Sequence, residues 1–176
     1  ALYYADITLA AEPTEPTKVN LKGEVNDLLV EGGVVYLSTT AGLEIYRIQP
    51  NRELRELAVI GTQYLGAIPE ALYKVDDTMW VALPSAYQVV SIDLLDGTYP
   101  ITNTVEMINI NRQKVRAEDI LIRNNMMLVS GGTDGTLNAY AIRSENNSEP
   151  VGLFSLAYLV YNGDIFAGDM KLQGQT

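Results

Sequence analysis

The chain contains no histidine and no cysteine among its 176 residues. Without cysteine it has no disulfide, no thiolate zinc site and no thiol nucleophile. Without histidine it lacks the commonest general base and metal ligand, which excludes Ser-His-Asp triads, HExxH zinc sites and histidine-ligated haem within this chain. The sequence therefore offers no sharp catalytic signature.

The chain is also short of positive charge and of long apolar runs. It has 12 Lys and Arg against 22 Asp and Glu, a net charge of −10. Nucleic acids and anionic membranes need a basic surface that displaces counterions, so we predict no nucleic-acid binding. The longest apolar run, Gly152 to Tyr161, is about half of the ~20 residues of a membrane-spanning helix, so we predict no membrane span. No signal peptide is visible at the start, and Ala1 is compatible with a mature N-terminus.

What the sequence does contain is a repeated pattern of short strand-like runs divided by two-residue turns. Gly, Asn and Asp at these turns tolerate the positive φ that tight hairpins need. A second strand follows each turn, and aligning these strands brings four residues into register at spacings of 44, 48 and 38 (80 − 36, 128 − 80 and 166 − 128). The four residues in register are Tyr36, Trp80, Leu128 and Phe166. We expect them to pack between neighbouring repeats.

A period of 40 to 50 residues with about four strands per repeat predicts an all-β fold, a β-propeller of about four blades with four antiparallel strands each. We interpret residues 1–176 as a single propeller domain in which one blade is shared between the two termini. The alternatives are a fragment or arc of a larger propeller and another all-β fold, such as a sandwich. We expect almost no helix, with at most one turn near residues 53–57. The blade units are residues 25–61, 69–110, 117–156, and 157–176 completed by residues 1–22.

Several stretches resemble the exported bacterial propeller families known by their LVIVD and YVTN repeats. They are VVYLSTTAGLEIYRIQP (Val34 to Pro50), MWVALPSAYQVVSIDLLDG (Met79 to Gly97) and LYYADIT (Leu2 to Thr8). MMLVSGGTDGTLNAYAI (Met126 to Ile142) is similar to a pyrroloquinoline-quinone repeat, but it lacks the tryptophan that ends that motif. The resemblance implies an extracytoplasmic propeller of binding or unknown function, and it implies no particular reaction.

Acidic residues recur where the first strand of each unit begins. The first strand of a propeller blade is innermost, so these side chains should converge on one mouth of the central channel. Their oxygens suit Ca²⁺, and a pair of them suits the acid and ionised partner of glycoside hydrolysis. Alternatively, they cap local turns and accept hydrogen bonds from backbone N–H groups. The residues are Asp27, which follows Asn26, together with Glu70, Glu118 and Asp119.

A basic cluster, Arg112, Lys114 and Arg116, precedes the third unit. If this segment is extended, the period of two places all three side chains on one face. Such a face suits an acidic partner or the carboxylates of an adjacent protomer. The alternative is a solvated loop.

These observations favour a non-enzymatic, extracytoplasmic β-propeller that binds a protein partner or self-associates. We predict no cofactor, and the alternative is a bound calcium ion. The rival function is a carbohydrate-active enzyme that uses paired carboxylates among Asp27, Glu70 and Glu118. A pair roughly 5 to 9 Å apart in an open cleft would favour the enzyme. Carboxylates bonded to the backbone would argue against it.

Overall fold

The structure, a computed structural model, describes residues 2–4, 17–51, 53–109, 111–131, 136–142 and 148–155. Helix in these ranges is limited to one turn, α1 (Thr62–Leu65), and one 3-10 turn, Pro84–Ala86. The prediction of almost no helix is confirmed, but its expected position near residues 53–57 is wrong. Those residues enter a strand, because pairing with a neighbouring strand satisfies their backbone N–H and C=O groups.

The described strands form three four-stranded antiparallel sheets and one two-stranded pair, each with its strands in chain order. The two-stranded pair is β1 (Leu2–Tyr4) and β2 (Thr17–Val19). Sheet 1 consists of β3 (Val25–Glu31), β4 (Val34–Thr39), β5 (Gly42–Ile48) and β6 (Leu54–Gly61). Sheet 2 consists of β7 (Leu72–Val75), β8 (Thr78–Leu83), β9 (Gln88–Asp93) and β10 (Ile101–Glu106). Sheet 3 consists of β11 (Asp119–Arg123), β12 (Met126–Ser130), β13 (Thr136–Ile142) and β14 (Ser148–Ser155).

The repeated turns lie where the sequence pattern places them, between the first and second strand of each sheet. Positive φ angles occur at Gly32, Gly33, Asp76, Asn124 and Asn125, as these hairpins require. The residues predicted to be in register occupy the second strands β4, β8 and β12. Phe166 and residues 157–176 of the predicted fourth blade lie outside the described residues.

Sheet 2 lies between sheets 1 and 3 and contacts both of them. Successive residues of a strand point to opposite faces, so alternate residues of β8 pack against different neighbouring sheets. Met79 and Val81 pack into the apolar cluster shared with sheet 1, where Tyr36 of sheet 1 also lies. Trp80, between them in sequence, packs into the cluster shared with sheet 3. Leu128 is half-buried on the face of sheet 3 away from sheet 2. Consecutive four-stranded meanders stacked face to face are the blades of a β-propeller, so the predicted fold class is confirmed.

The face of sheet 1 away from sheet 2 carries a fully buried carboxylate, Glu44. It accepts hydrogen bonds from the backbone N–H groups of Lys22 and Gly23, the nearest at 3.0 and 3.1 Å. The hydroxyl groups of Thr39 and Tyr46 donate to it at 3.0 and 2.7 Å. These donors compensate for the loss of water around the charge, and they hold the chain segment before β3 against sheet 1.

Candidate functional site

The chain passes from one sheet to the next at one end of the stack, which we call the linker end. Residues 62–71 connect sheet 1 to sheet 2, and residues 107–118 connect sheet 2 to sheet 3. The first strand of each sheet also begins at this end, so the candidate acidic and basic residues all belong to it. The opposite end, which we call the turn end, carries the turns between first and second strands.

Asp27 joins sheet 1 to sheet 2. Its Oδ1 accepts a hydrogen bond from the backbone N–H of Leu28 at 2.7 Å, and its Oδ2 accepts one from the backbone N–H of Leu72 at 2.8 Å. Leu72 is the first residue of β7, so the carboxylate fixes the first strand of one sheet to the first strand of the next. This geometry matches the alternative in which the acidic side chain bonds backbone N–H groups.

Two further hydrogen bonds flank Asp27 and cross the same gap between sheets. Asn26 donates through Nδ2 to the carbonyl oxygen of Pro69 at 2.8 Å. Ser38 donates through Oγ to the carbonyl oxygen of Glu70 at 2.9 Å. The beginning of β3 and the end of β4 thus bind the main chain just before β7.

Glu70 is the carboxylate with the most distinctive electrostatics at the linker end. Burial raises its pKa above the ordinary value of 4.5, and the nearby carboxylate of Glu118 raises it further. Arg116 opposes this increase in the pKa, and Asp27 adds a smaller increase. Arg116 also forms an ion pair with Glu118, with Nε 2.8 Å from Oε1. The structure therefore places Glu70, before sheet 2, within electrostatic reach of charged residues at the beginnings of sheets 1 and 3.

Asp119 begins β11 and is half-buried. Its Oδ1 accepts a hydrogen bond from the backbone N–H of Ile120 at 2.8 Å. It lies opposite Ser130, as Asp27 lies opposite Ser38, so the two aspartates occupy equivalent positions in their sheets. No three acidic side chains in the described ranges are close enough to hold a metal ion, so the calcium alternative finds no support there.

The basic cluster does not form one extended face. Asn109 closes a turn, because its Oδ1 accepts hydrogen bonds from the backbone N–H groups of Asn111 and Gln113, both at 2.9 Å. Arg112 lies in this turn with a φ of 62° and is exposed. The three basic residues were predicted to share one face only if their segment is extended, and the backbone is not extended at Arg112.

The other two basic residues point to different partners. The Nζ of Lys114 lies 5.3 Å from the ring centre of Tyr87, a cation–π contact with the turn after β8. Arg116 instead turns to Glu118, as described above. All three basic side chains are exposed, but Arg116 is paired with a carboxylate and Lys114 with an aromatic ring.

Sequence analysis missed two side chains of the first linker. Tyr64 is 57% exposed and Ile68 is 44% exposed, and both lie in residues 62–71. The signal that could have found them is their position outside any strand, since an apolar residue there has no sheet face to pack on. They are exposed apolar side chains at the linker end, where Val25 at the beginning of β3 is exposed as well.

The described part of the chain contains no helix with the length and apolar character that a membrane span requires.

No protein-family model matches the sequence, and no curated protein matches it either. Solved structures do match. The chain is similar to a protein from Lactobacillus plantarum (13% identity, TM-score 0.63), with 87% of this chain and 50% of that chain covered. It is similar to the periplasmic gluconolactonase PpgL of Pseudomonas aeruginosa (18% identity, TM-score 0.59; 76% and 41% covered). It is also similar to Hsv2 of Kluyveromyces lactis (11% identity, TM-score 0.51; 79% and 41% covered).

This chain spans half or less of the length of each of these proteins. At these identities the similarity shows the β-propeller fold and nothing about activity. The fold agrees with the resemblance to exported propeller repeats, whereas the particular LVIVD and YVTN families stay a prediction because no family model matches.

Proposed function

We propose that this chain is a non-enzymatic, extracytoplasmic β-propeller module that binds a protein partner through its linker end. Its place outside the cytoplasm rests on the resemblance to exported repeats, and fractionation of the source cells tests it. Recovery of the protein with the cytoplasmic fraction would contradict that part of the proposal.

One observation carries the binding function: exposed aromatic, apolar and cationic side chains share the linker end. Tyr64 and Ile68 are exposed in one linker, and Arg112 is exposed in the other. Tyrosine and arginine are enriched in protein interfaces because each combines a large contact area with hydrogen-bonding groups. The linkers also vary in length and structure between sheets, which lets binding residues differ while the sheets stay alike.

The test uses a double variant, Tyr64→Ser with Ile68→Ser, and a matched control, Leu95→Ser. Leu95 is 73% exposed at the turn end, so the control removes an apolar side chain from the other end of the stack. Each immobilised protein is incubated with the extracytoplasmic protein fraction of the source. The affinity for the bound partner is then measured, together with self-association by sedimentation velocity.

We expect the double variant to weaken partner binding about thirtyfold, since an interface tyrosine contributes about 2 kcal/mol. The control should bind like the wild type, and unchanged melting curves should show that both variants fold. Equal binding by the double variant and the wild type would contradict a linker-end interface. The absence of both partner binding and self-association would contradict the proposed function itself.

A second candidate, a carbohydrate-active enzyme, is favoured by one observation. Glu70 has a raised pKa beside Glu118, which resembles the acid and partner of a glycosidase. Asp27 does not fit this role, because both of its oxygens accept backbone hydrogen bonds. If the pair is catalytic, Glu70→Gln and Glu118→Gln should each lower hydrolysis of aryl glycosides at least about 100-fold. Glu106→Gln, an exposed carboxylate at the same end, is the control, and equal rates in all variants would remove the enzyme.

A further inference from the structure

Among the described residues, three adopt a positive φ although their residue type disfavours it. They are Tyr87, Tyr99 and Arg112, with φ angles of 55°, 55° and 62°. The other described residues with a positive φ are glycine, aspartate or asparagine, which tolerate it. A side chain held in a disfavoured conformation costs free energy, so each of the three calls for a compensating contact.

The two tyrosines have such a contact within the chain. Tyr99 packs against the apolar cluster shared by sheets 1 and 2. The ring of Tyr87 faces the ammonium group of Lys114. Arg112 differs from both, because its side chain is exposed and forms no hydrogen bond, ion pair or ring contact with any residue that the structure describes. Within these ranges nothing compensates for its conformation.

The main chain around Arg112 is nevertheless well held. The Oδ1 of Asn109 accepts hydrogen bonds from the N–H groups of Asn111 and Gln113, the residues on either side of Arg112. The N–H of Arg112 itself donates to the carbonyl oxygen of Asn109 at 2.8 Å. Binding through the guanidinium group would therefore order one side chain and not a loop, which lowers the entropic cost of association.

The stretch around Arg112 is positively charged in an acidic chain. Residues 107–117 contain three basic and no acidic residues, so they carry +3 while the rest of the chain carries −13 (−10 − 3). The carboxylates that bound this stretch, Glu106 and Glu118, stand six residues from Arg112 on either side (112 − 106 and 118 − 112). Because salt screens exposed charges beyond about 8 Å at physiological ionic strength, the local charge governs what binds here.

The apolar linker lies beside this basic stretch. β7 and β11 are neighbours, and Arg116 lowers the pKa of Glu70, so the two linkers come together where they enter sheets 2 and 3. Residues 62–69 carry no charge, and Tyr64 and Ile68 are exposed there. The linker end thus combines an uncharged apolar surface with a cationic one.

We propose that the linker end binds an acidic segment of another protein, and that a carboxylate of this segment binds the guanidinium group of Arg112. A guanidinium group has parallel N–H donors that match the two oxygens of a carboxylate. This inference rests on the proposed protein-binding function and adds the chemical class of the partner. A second copy of the chain fits less well, because copies with a net charge of −10 repel each other.

The test begins with selection from a random peptide library by the immobilised chain at physiological ionic strength. The selected peptides should contain more Asp and Glu than the unselected library. A selected acidic peptide should bind more weakly as salt is added, because salt screens an exposed ion pair. The same peptide with Gln in place of Glu should bind more weakly at low salt and respond little to added salt. Selection of neutral or basic peptides would overturn the proposal.

Charge reversal tests the residue. Arg112→Glu should weaken binding of the acidic peptide about tenfold or more, because an attraction is replaced by a repulsion. Arg123→Glu is the matched control, since Arg123 is also exposed but lies at the turn end, and it should bind like the wild type. Equal affinity of the Arg112→Glu variant and the control would overturn the proposal.

Arg112→Asn separates a binding role from a structural one, because asparagine tolerates the positive φ. The variant should be at least as stable as the wild type in urea melts, yet it should bind the acidic peptide about fivefold more weakly. A loss of stability with unchanged binding would mean that the arginine serves the fold, and this result would overturn the proposal.

The outcomes also distinguish this inference from the proposed function. If peptides bind and the Tyr64→Ser, Ile68→Ser double variant loses them, but no acidic residues are enriched, the inference fails and the proposed function stands. If neither peptides nor extracytoplasmic proteins bind, both fail. Self-association that Arg112→Glu abolishes would make a second copy the occupant, and that result would overturn the proposal of a different protein.

Discussion

The joint between sheets 1 and 2 and the joint between sheets 2 and 3 use equivalent positions with different chemistry. In the first joint, Ser38 donates a hydrogen bond and Asp27 accepts one, and both bonds cross to the beginning of sheet 2. In the second joint the equivalent positions are Ala71 and Ala82, which have no polar side-chain group and are buried in the apolar cluster. Trp80 fills this cluster where the first joint has Tyr36.

The difference shows that the repeat preserves strand pattern and turn position while the contact between sheets varies. Apolar contact stabilises in proportion to the area removed from water and has little directional preference. A hydrogen bond that the Asp27 carboxylate accepts from a main-chain N–H and one that the Ser38 hydroxyl donates to a main-chain carbonyl fix the position of one first strand along the next. Both joints bury apolar side chains, and the first joint adds directional hydrogen bonds that the second joint lacks at the equivalent positions.

The largest effect should come from the apolar joint. Trp80→Ala should lower the free energy of unfolding by about 3–5 kcal/mol, because it leaves a cavity between sheets 2 and 3. Urea melts measure this loss, and Leu95→Ala, at an exposed position, should stay within about 0.5 kcal/mol of the wild type. A loss below about 1 kcal/mol for Trp80→Ala would mean that sheets 2 and 3 do not depend on this contact.

In the polar joint, Asp27→Ala should cost about 1–3 kcal/mol, because the N–H groups of Leu28 and Leu72 lose their acceptor. Asp77→Ala removes an exposed carboxylate at the turn end and should change stability by less than about 0.5 kcal/mol. Equal effects of the two substitutions in urea melts would show that the carboxylate does not join the sheets.

A smaller effect should appear in the linker of the second joint. Lys114→Gln should cost about 0.5–1 kcal/mol, because the ammonium group leaves the face of Tyr87. Arg112→Gln, in the exposed turn of the same linker, should have almost no effect on thermal unfolding. If both variants melt alike, the turn is not held by the cation–π contact.

The smallest effect concerns the titration of Glu70, where the two joints meet. NMR titration of its carboxyl group should give a pKa above 4.5; Arg116→Ala should raise the pKa and Glu118→Gln should lower it. A raised folded-state pKa means that the protonated form favours folding, so this contribution is present at acid pH and is lost as the pH rises through the folded-state pKa. Glu70→Gln should therefore stabilise the protein at neutral pH and not below pH 4.5.

Asp96 at the turn end is the control for this titration. Its pKa is lowered by hydrogen bonds from Thr98 and should not respond to either substitution. A Glu70 pKa at or below its ordinary value would contradict the electrostatic neighbourhood described here.

The fold was predictable because its signals are local. Gly-Gly, Asp-Asp and Asn-Asn pairs mark turns by their own backbone preferences, and the alternation around Tyr36 and Trp80 marks strands. Convergence of the sheet beginnings also follows from the repeat. The partner of each acidic side chain cannot be predicted from the repeat. Asp27 accepts a hydrogen bond from a backbone N–H, whereas Glu118 forms an ion pair with Arg116. Such partners depend on which atoms the folded chain brings within hydrogen-bonding distance, whether from another sheet or from the same linker.

The linker residues were the least predictable for the same reason. Period-two spacing describes Lys114 and Arg116, but the side chain of Asn109 closes a turn that removes Arg112 from their face. The helical turn α1 formed beyond β6 rather than within it, since pairing along β5 outweighs the local helical preference of residues 53–57.

The buried carboxylate of Glu44 has a consequence for synthesis on the ribosome. Its donors lie between Lys22 and Tyr46, so every group that compensates for the charge has emerged once sheet 1 is made. All the hydrogen bonds to Glu44 can therefore form as soon as sheet 1 has been synthesised. The hydrogen bond that Asp27 accepts from the Leu72 N–H spans 45 residues, so it can form only after β7 has emerged. Assembly from the N-terminus onwards follows, with each new sheet added to a neighbour that is already formed.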